Sequence, residues 1–434
     1  MTFCIDDFKK AVQAGFLKPF GMTYDYVDAS KFETFQNGIE WKNKKIKEIF
    51  QELECRMSRQ YFRNVVMAQS CALDFATLQF PAYSFMIAED LSDDWLAIVD
   101  FHKKFSRDHS LHQPLTAYVA AKLLGFGDAE SSLAIPVKPG NLLDYCVDAI
   151  LTKPTAHYVL DSARRYGIPN NMLKENQTTR IFWRGLFYRT VVLSALFHDV
   201  GYPWQYVGRL GKDLRKNVNC LHPVDSIIPQ LIHNFKDRMM FLPLRNYQSE
   251  HRNDSIYENK HLAKLTEKAL ETHGFPGAIA FIALNDAIRK SVPCSALDRM
   301  HQFEVEWAAM GIFMHDMEGK HKEGLHELSL SFEQDPLSSM ISVADYLEEF
   351  NRPKVKFKKK LKESRMRYYF DCLQVDVDVT PDGVMDVCMK YTNTNGKVIA
   401  SSFKRQETDD YFNPSIGYID MNPLGIKRVV YSQK

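Results

Sequence analysis

The chain has 434 residues, room for two or three domains. Hydrophobic residues at 45% and charged residues at 25% exclude a disordered chain, and a net charge of +1 leaves no bulk field to gather polyanions, so an anionic substrate must be drawn by a local site. The eight cysteines are scattered without a CxxC pair, which argues against a zinc ribbon or a disulfide framework and fits a cytoplasmic protein.

The opening segment, MTFCIDDFKKAVQAGF, has an acidic pair and no apolar core of the kind a signal peptide needs. Residues 1–100 carry helical periodicity with many aromatics, and Ile39 to Ser58 alternates charged and apolar residues at helix spacing. This region reads as a helical N-terminal extension without recognisable chemistry. Residues 101–353 form the main body. A helix is predicted from Pro114 to Leu124, with proline in its first turn and Gly125 and Gly127 stopping it. Another runs from Arg184 to Phe197, closed by Gly201 and Pro203; its VVLSALF stretch is too short to span a bilayer, so no membrane partner is expected. Further helices are predicted over Gly277–Arg289, Phe303–Phe313 and Pro336–Phe350, the last halted before Pro353.

Residues 354–367, KVKFKKKLKESRMR, form a basic run. It reads as a solvated linker, as an edge strand, or as a contact for nucleic acid or an allosteric nucleotide. LQVDVDV, the turn Pro381-Asp382-Gly383 and VMDVCMKYT then make a hairpin, and KVIASSF follows the Asn395-Gly396 turn. Residues 354–434 are therefore a basic linker and a small β-rich domain, suited to oligomerisation or regulation. The predicted fold class is mainly α with a small C-terminal β-rich (α+β) domain.

Among fourteen histidines, the informative ones sit at the ends of apolar helices. His198-Asp199 follows SALF, where an ionised aspartate is costly to bury without a cation or donor. An adjacent imidazole makes a divalent metal a natural partner for both. His112 shares the mostly apolar face of its helix with Leu115, Thr116, Val119 and Ala120; His109 is a more polar alternative. His273 stands just before a helix, His315 ends EWAAMGIFMHD, and Asp345 lies amid Ile341, Val343 and Ala344. A lone histidine on an apolar face is usually a hydrogen-bonded core residue, and an HD dipeptide alone is weak, since His315-Asp316 repeats it. The ordered set His, His-Asp, His, His, Asp is a stronger signal.

The segments RDHSLHQPLTAYVAAKLLG, LSALFHDVGYP, THGFPGAIAFIAL, WAAMGIFMHD and DPLSSMISVADYLEEFNRP resemble the successive metal-bearing helices of HD-superfamily phosphohydrolases over residues 101–353. The resemblance implies an α-helical HD-domain bundle. His112, His198, Asp199 and Asp345 would hold one metal, and Asp199 would bridge to a second held by His273 and His315. The long span between His112 and His198 is read as carrying an insert at about 128–180. Gly201-Tyr202-Pro203 resembles the signature of cyclic-di-nucleotide phosphodiesterases but stands elsewhere in the motif.

The resemblance further implies a hydrolase using two divalent ions (manganese, iron, magnesium or zinc), with His198 and Asp199 central to catalysis. Arg107, Arg209 and Lys320 are candidates to neutralise phosphate charge, though each also reads as a solvated surface residue. Tyr202 and Trp204 are candidates to stack on a base. The expected substrate is a nucleotide, foremost a (deoxy)nucleoside triphosphate, with a role in bacterial antiviral defence; a cyclic-nucleotide or oligonucleotide phosphodiesterase is the near alternative. An HD-type di-iron oxygenase uses the same ligand order. A nucleotide-binding regulator with a vestigial site is a third reading. A homo-oligomer is also compatible with the sequence.

Overall fold

The computed structural model describes residues 1–14, 109–126, 132–138, 142–201, 272–291, 298–317, 329–349, 353–357, 367–393, 398–399, 405–415 and 417–432. Most of the predicted N-terminal extension, including Ile39 to Ser58, lies outside them, as do Arg107, Tyr202, Trp204, Arg209, Lys320 and residues 358–366 of the basic run.

In chain order the elements are β1 (Thr2–Cys4), α1 (Ile5–Ala14), α2 (His109–Leu123), α3 (Leu142–Thr152), α4 (His157–Arg165), α5 (Gln177–Phe197), α6 (Gly274–Ser291), α7 (Asp298–Met314), β2 (Leu330–Ser331) and α8 (Pro336–Leu347). They continue with β3 (Pro353–Phe357), β4 (Arg367–Val379), β5 (Val384–Asn393), β6 (Val398–Ile399), α9 (Arg405–Phe412), β7 (Ile419–Asp420) and β8 (Arg428–Ser432). The described residues are thus mainly helical, with strands gathered toward the C-terminus. No helix among them is long and apolar enough to cross a membrane.

Helix α5 forms the spine of the bundle. The Asn176 side chain accepts from the Thr179 amide at 2.9 Å, satisfying one of the donors that a helix start leaves open. From Gly185 to Phe197 every residue of α5 is buried, so it is covered on all sides, by α2, α3, α7 and α8 among others. Trp183 and Trp307 meet edge-on at 5.9 Å between α5 and α7. Helix α3, from the span read as an insert, packs on α5 and α8 and shares their core. Arg189 of α5 and Glu304 of α7 form an ion pair with both side chains only 3% exposed.

Helix bounds differ from the sequence reading: α6 and α7 start three and five residues before the predicted Gly277 and Phe303, and three further differences have a local cause. Helix α2 begins at His109, so Pro114 lies inside it instead of in its first turn. The apolar burial of Leu115, Ala117, Val119, Ala120 and Leu123 outweighs the one backbone hydrogen bond that proline removes. Helix α5 starts at Gln177, seven residues before the predicted start at Arg184, because the Asn176 cap begins it. Helix α8 does start at Pro336, capped by Asp335, whose side chain accepts from Ser338 N at 3.0 Å. It stops at Leu347, short of Phe350, because Glu348 and Glu349 leave the helical path, and both are fully buried against partners elsewhere.

The main sheet centres on the predicted hairpin. β4 and β5 pair antiparallel from Phe370↔Asn393 to Val379↔Met385, and Gly383 adopts φ 88° in the connecting turn. The start of the basic run, residues 354–357, does form an edge strand within β3, pairing with β4 through Val355↔Tyr369. β6 and β8 take the far side of β5. Two strands were unexpected, β2 and β1; β1, at the start of the segment read as helical, lies on the same edge of β4 as β3, with Thr2↔Asp376 and Cys4↔Gln374. Three residues are too few to show a period-two pattern, and their partner lies far along the chain.

Candidate metal centre

Five helix ends converge on one buried point. His112 comes from the first turn of α2, His198 and Asp199 follow α5, His273 immediately precedes α6, His315 follows α7, and Asp345 lies in the last turn of α8. His112, His198, Asp199, His273 and His315 are each at most 5% exposed, and the Asp345 side chain 12%. Every metal ligand expected from the sequence is therefore in this one cluster. The side chain of His109 lies outside the described ones.

The ring nitrogens facing inward are all Nε2. His112 Nε2 lies 2.9 Å from His198 Nε2, and His273 Nε2 lies 3.0 Å from His315 Nε2. Asp199 joins the two pairs. Its Oδ1 lies 2.9 Å from His273, 3.4 Å from His198 and 3.5 Å from His315, while its Oδ2 lies 3.4 Å from His112. Asp345 Oδ1 adds a carboxylate 3.0 Å from His112 and 3.7 Å from His198. The donors divide into His112, His198 and Asp199 on one side, and Asp199, His273 and His315 on the other.

The outward nitrogens explain why these histidines stand at helix ends. His198 Nδ1 donates to Ala195 O and His315 Nδ1 to Ile312 O, each at 2.7 Å. Both acceptors are last-turn carbonyls, which have no intrahelical partner of their own. His112 Nδ1 faces Glu348 Oε2 at 2.5 Å, and His273 Nδ1 faces Asp316 Oδ2 at 2.7 Å. Acceptor partners place a proton on Nδ1 of His198, His273 and His315, and the Glu348 carboxylate favours one on Nδ1 of His112, where the Thr116 hydroxyl also lies 3.2 Å away. Each unprotonated Nε2 then turns a lone pair toward the centre, where the Asp199 and Asp345 carboxylates also point. Such a buried set of imidazole nitrogens and carboxylates attracts cations, and imidazole with carboxylate suits a transition-series or similar divalent ion. The residues fit a metal-binding group on this ground.

Electrostatics points the same way. Burial opposes a charge on His198, but Asp199, Asp345 and the Ala195 carbonyl outweigh it and raise its pKa. Burial likewise opposes protonation of His273, yet Asp316 and Asp199 lift it from 6.5 to about 9. His315 is lowered, by burial and by its positive neighbours His198 and His273, although Asp199 pulls the other way. Burial would raise Asp345, but His112 and His198 hold it well below the usual carboxylate range. The cluster attracts positive charge, whether protons or metal.

Two functional residues escaped sequence reasoning. Glu348 orients His112 from three residues beyond Asp345, just past the end of α8. Asp316 holds His273 through the ring, and its Oδ2 also accepts from His273 N at 2.7 Å and Gly274 N at 3.4 Å at the start of α6. The signal for Asp316 was the second HD dipeptide, which looked like a coincidence in the sequence. Gly201 also has a role here. A Cβ on it would stand 1.8 Å from His273 O and 2.7 Å from Gly277 N, so only glycine lets the chain after Asp199 touch the start of α6.

The arrangement can hold two cations about a shared carboxylate. Comparison with protein-family models, curated proteins and solved structures returned no match to this chain.

Proposed function

We propose that this chain is a metal-dependent phosphohydrolase of the HD type acting on nucleotides, with (deoxy)nucleoside triphosphates as the favoured substrate class. The observation that supports this most directly is Asp199, shared between two buried sets of imidazoles. His112, His198, Asp199 and Asp345 would hold one ion, and Asp199, His273 and His315 the other. Such an ion pair supplies Lewis-acid polarisation of a phosphoryl oxygen and acidifies water to a nucleophile at neutral pH.

The protein residues have separate tasks. Glu348 and Asp316 fix the tautomer and direction of His112 and His273, and helix-end carbonyls do the same for His198 and His315. Burial strengthens each interaction and limits bulk water at the centre. The nucleotide class rests on the ordered resemblance of the ligand-bearing segments.

The test is phosphate and product release from deoxynucleotides, ribonucleotides, cyclic nucleotides and short oligonucleotides with manganese or magnesium. The chain is compared with Asp199→Ala, alongside metal analysis of both. Turnover of triphosphates, two metal equivalents in the parent, and loss of both in the variant are expected. Turnover confined to cyclic nucleotides or oligonucleotides would make it a phosphodiesterase. No hydrolysis, with oxygen uptake by the iron-loaded protein, would replace the hydrolase reading with a di-iron oxygenase.

A further inference from the structure

The C-terminal module touches the backs of both halves of the metal centre. At the end of α8, Asp345 in the last turn and Glu348 just beyond it face the metal ligands, and Tyr346 and Glu349 are their chain neighbours. Tyr346 Oη is 2.6 Å from Thr408 Oγ1 on α9, and Tyr391 Oη on β5 donates to Glu349 Oε1 at 3.3 Å. Glu348 and Glu349 are adjacent and both fully buried. One reaches His112 and the other the sheet, so Glu349 cannot shift without moving the backbone that carries Glu348.

The second contact is independent. Tyr418 Oη, just before β7, donates to the backbone carbonyl of Met314. Met314 is the last residue of α7 and directly precedes His315. Tyr418 and Tyr391 are both fully buried; Tyr418 reaches the residue directly before His315, and Tyr391 reaches the residue directly after Glu348.

We propose that Tyr391 and Tyr418 are positioning residues through which the C-terminal module sets the strength of the metal centre, Tyr391 acting on the His112 half through Glu349-Glu348 and Tyr418 on the His315 half through Met314. The proposal rests on the metal reading above. Linkage makes the effect reciprocal: whatever loosens the module weakens metal binding, and metal binding stabilises the module.

The test uses Co²⁺, whose visible spectrum reports ligand geometry. Tyr391→Phe and Tyr418→Phe each remove one hydroxyl and keep the ring. Both are made in a His315→Ala background, which leaves the His112 half, and in a His112→Ala background, which leaves the His315 half. Lys390→Ala is the control, because Lys390 neighbours Tyr391 on β5 but pairs with Asp376 on the sheet. Affinity and spectrum are measured at equal folded content by circular dichroism.

A crossed pattern is expected. Tyr391→Phe should weaken Co²⁺ roughly 10-fold and shift the spectrum only when the His112 half remains, and Tyr418→Phe only when the His315 half remains, at the lower end of what outer-shell partners contribute. Equal losses in both backgrounds, losses matched by Lys390→Ala, or no change would overturn the proposal. Failure of the parent chain to bind Co²⁺ would remove the metal reading itself, an outcome separate from the others.

Discussion

Replacing Asp316 by asparagine should change how metal binding depends on pH, through His273. In the metal-free protein burial opposes the His273 proton, but the charges of Asp316 and Asp199 lift the pKa to about 9. A metal at Nε2 must expel that proton. At pH 7 the displacement costs about 2.7 kcal/mol, two pK units, or about 100-fold in apparent affinity. A group with a raised folded pKa stabilises the metal-free fold fully below its ordinary value of 6.5 and loses that contribution as the pH rises through about 9. Metal binding follows the opposite sense. The apparent affinity of the parent should rise by at least about tenfold per pH unit across that window and level off above it. Asp316→Asn keeps an acceptor for the ring and for the His273 and Gly274 amides but removes the charge, so His273 gives up its proton at lower pH. The plateau should move down accordingly, while the plateau affinity falls by roughly 10- to 100-fold because an outer-shell partner is weakened. Calorimetric or chelator-competition titrations with Zn²⁺ from pH 6 to pH 10 measure both quantities. A variant that levels off at the same pH as the parent would refute the assignment of Asp316 as the group that holds the His273 proton.

Glu348→Gln should weaken metal binding roughly 10- to 100-fold while leaving secondary structure intact, by metal titration and circular dichroism. Gly201→Ala forces a methyl into the His273 carbonyl; a loss of about 1–3 kcal/mol is expected in urea denaturation, together with reduced metal content. Glu304→Leu leaves the Arg189 cation buried without its partner and should cost about 3–5 kcal/mol, whereas the double variant Arg189→Met/Glu304→Leu should recover much of it. Recovery measured as a double-mutant cycle checks whether the pair serves stability or only avoids a lone buried charge.

The candidate ligands were legible because each broke a local rule. A charged or imidazole side chain at the end of an apolar helix needs a reason, and His112, His198, Asp199, His273, His315 and Asp345 all stand in that context. Their supports were less visible. Glu348 sits where a helix was expected to continue, and its importance depends on His112, which is distant in sequence and adjacent only in the fold. Asp316 was visible as a repeated dipeptide, yet nothing local separates a carboxylate that binds metal from one that holds a histidine. Among the elements, the long helices and the β4–β5 hairpin carried their own periodicity. The start of α2 did not, because Pro114 is a stronger local signal than the turn preceding it. β1 carried none, since its pairing is wholly non-local.

The pairing of β1 with β4 has a consequence for biosynthesis. Thr2 meets Asp376, so this strand waits for a partner made much later. All the candidate metal ligands, from His112 to Asp345, are translated before Tyr391 and Tyr418. On the linkage proposed above, a nascent chain or a prematurely terminated product would carry every ligand yet hold metal weakly. Full loading then becomes a property of the finished polypeptide, and a truncated copy in the cell would be distinguishable by its failure to retain the ions.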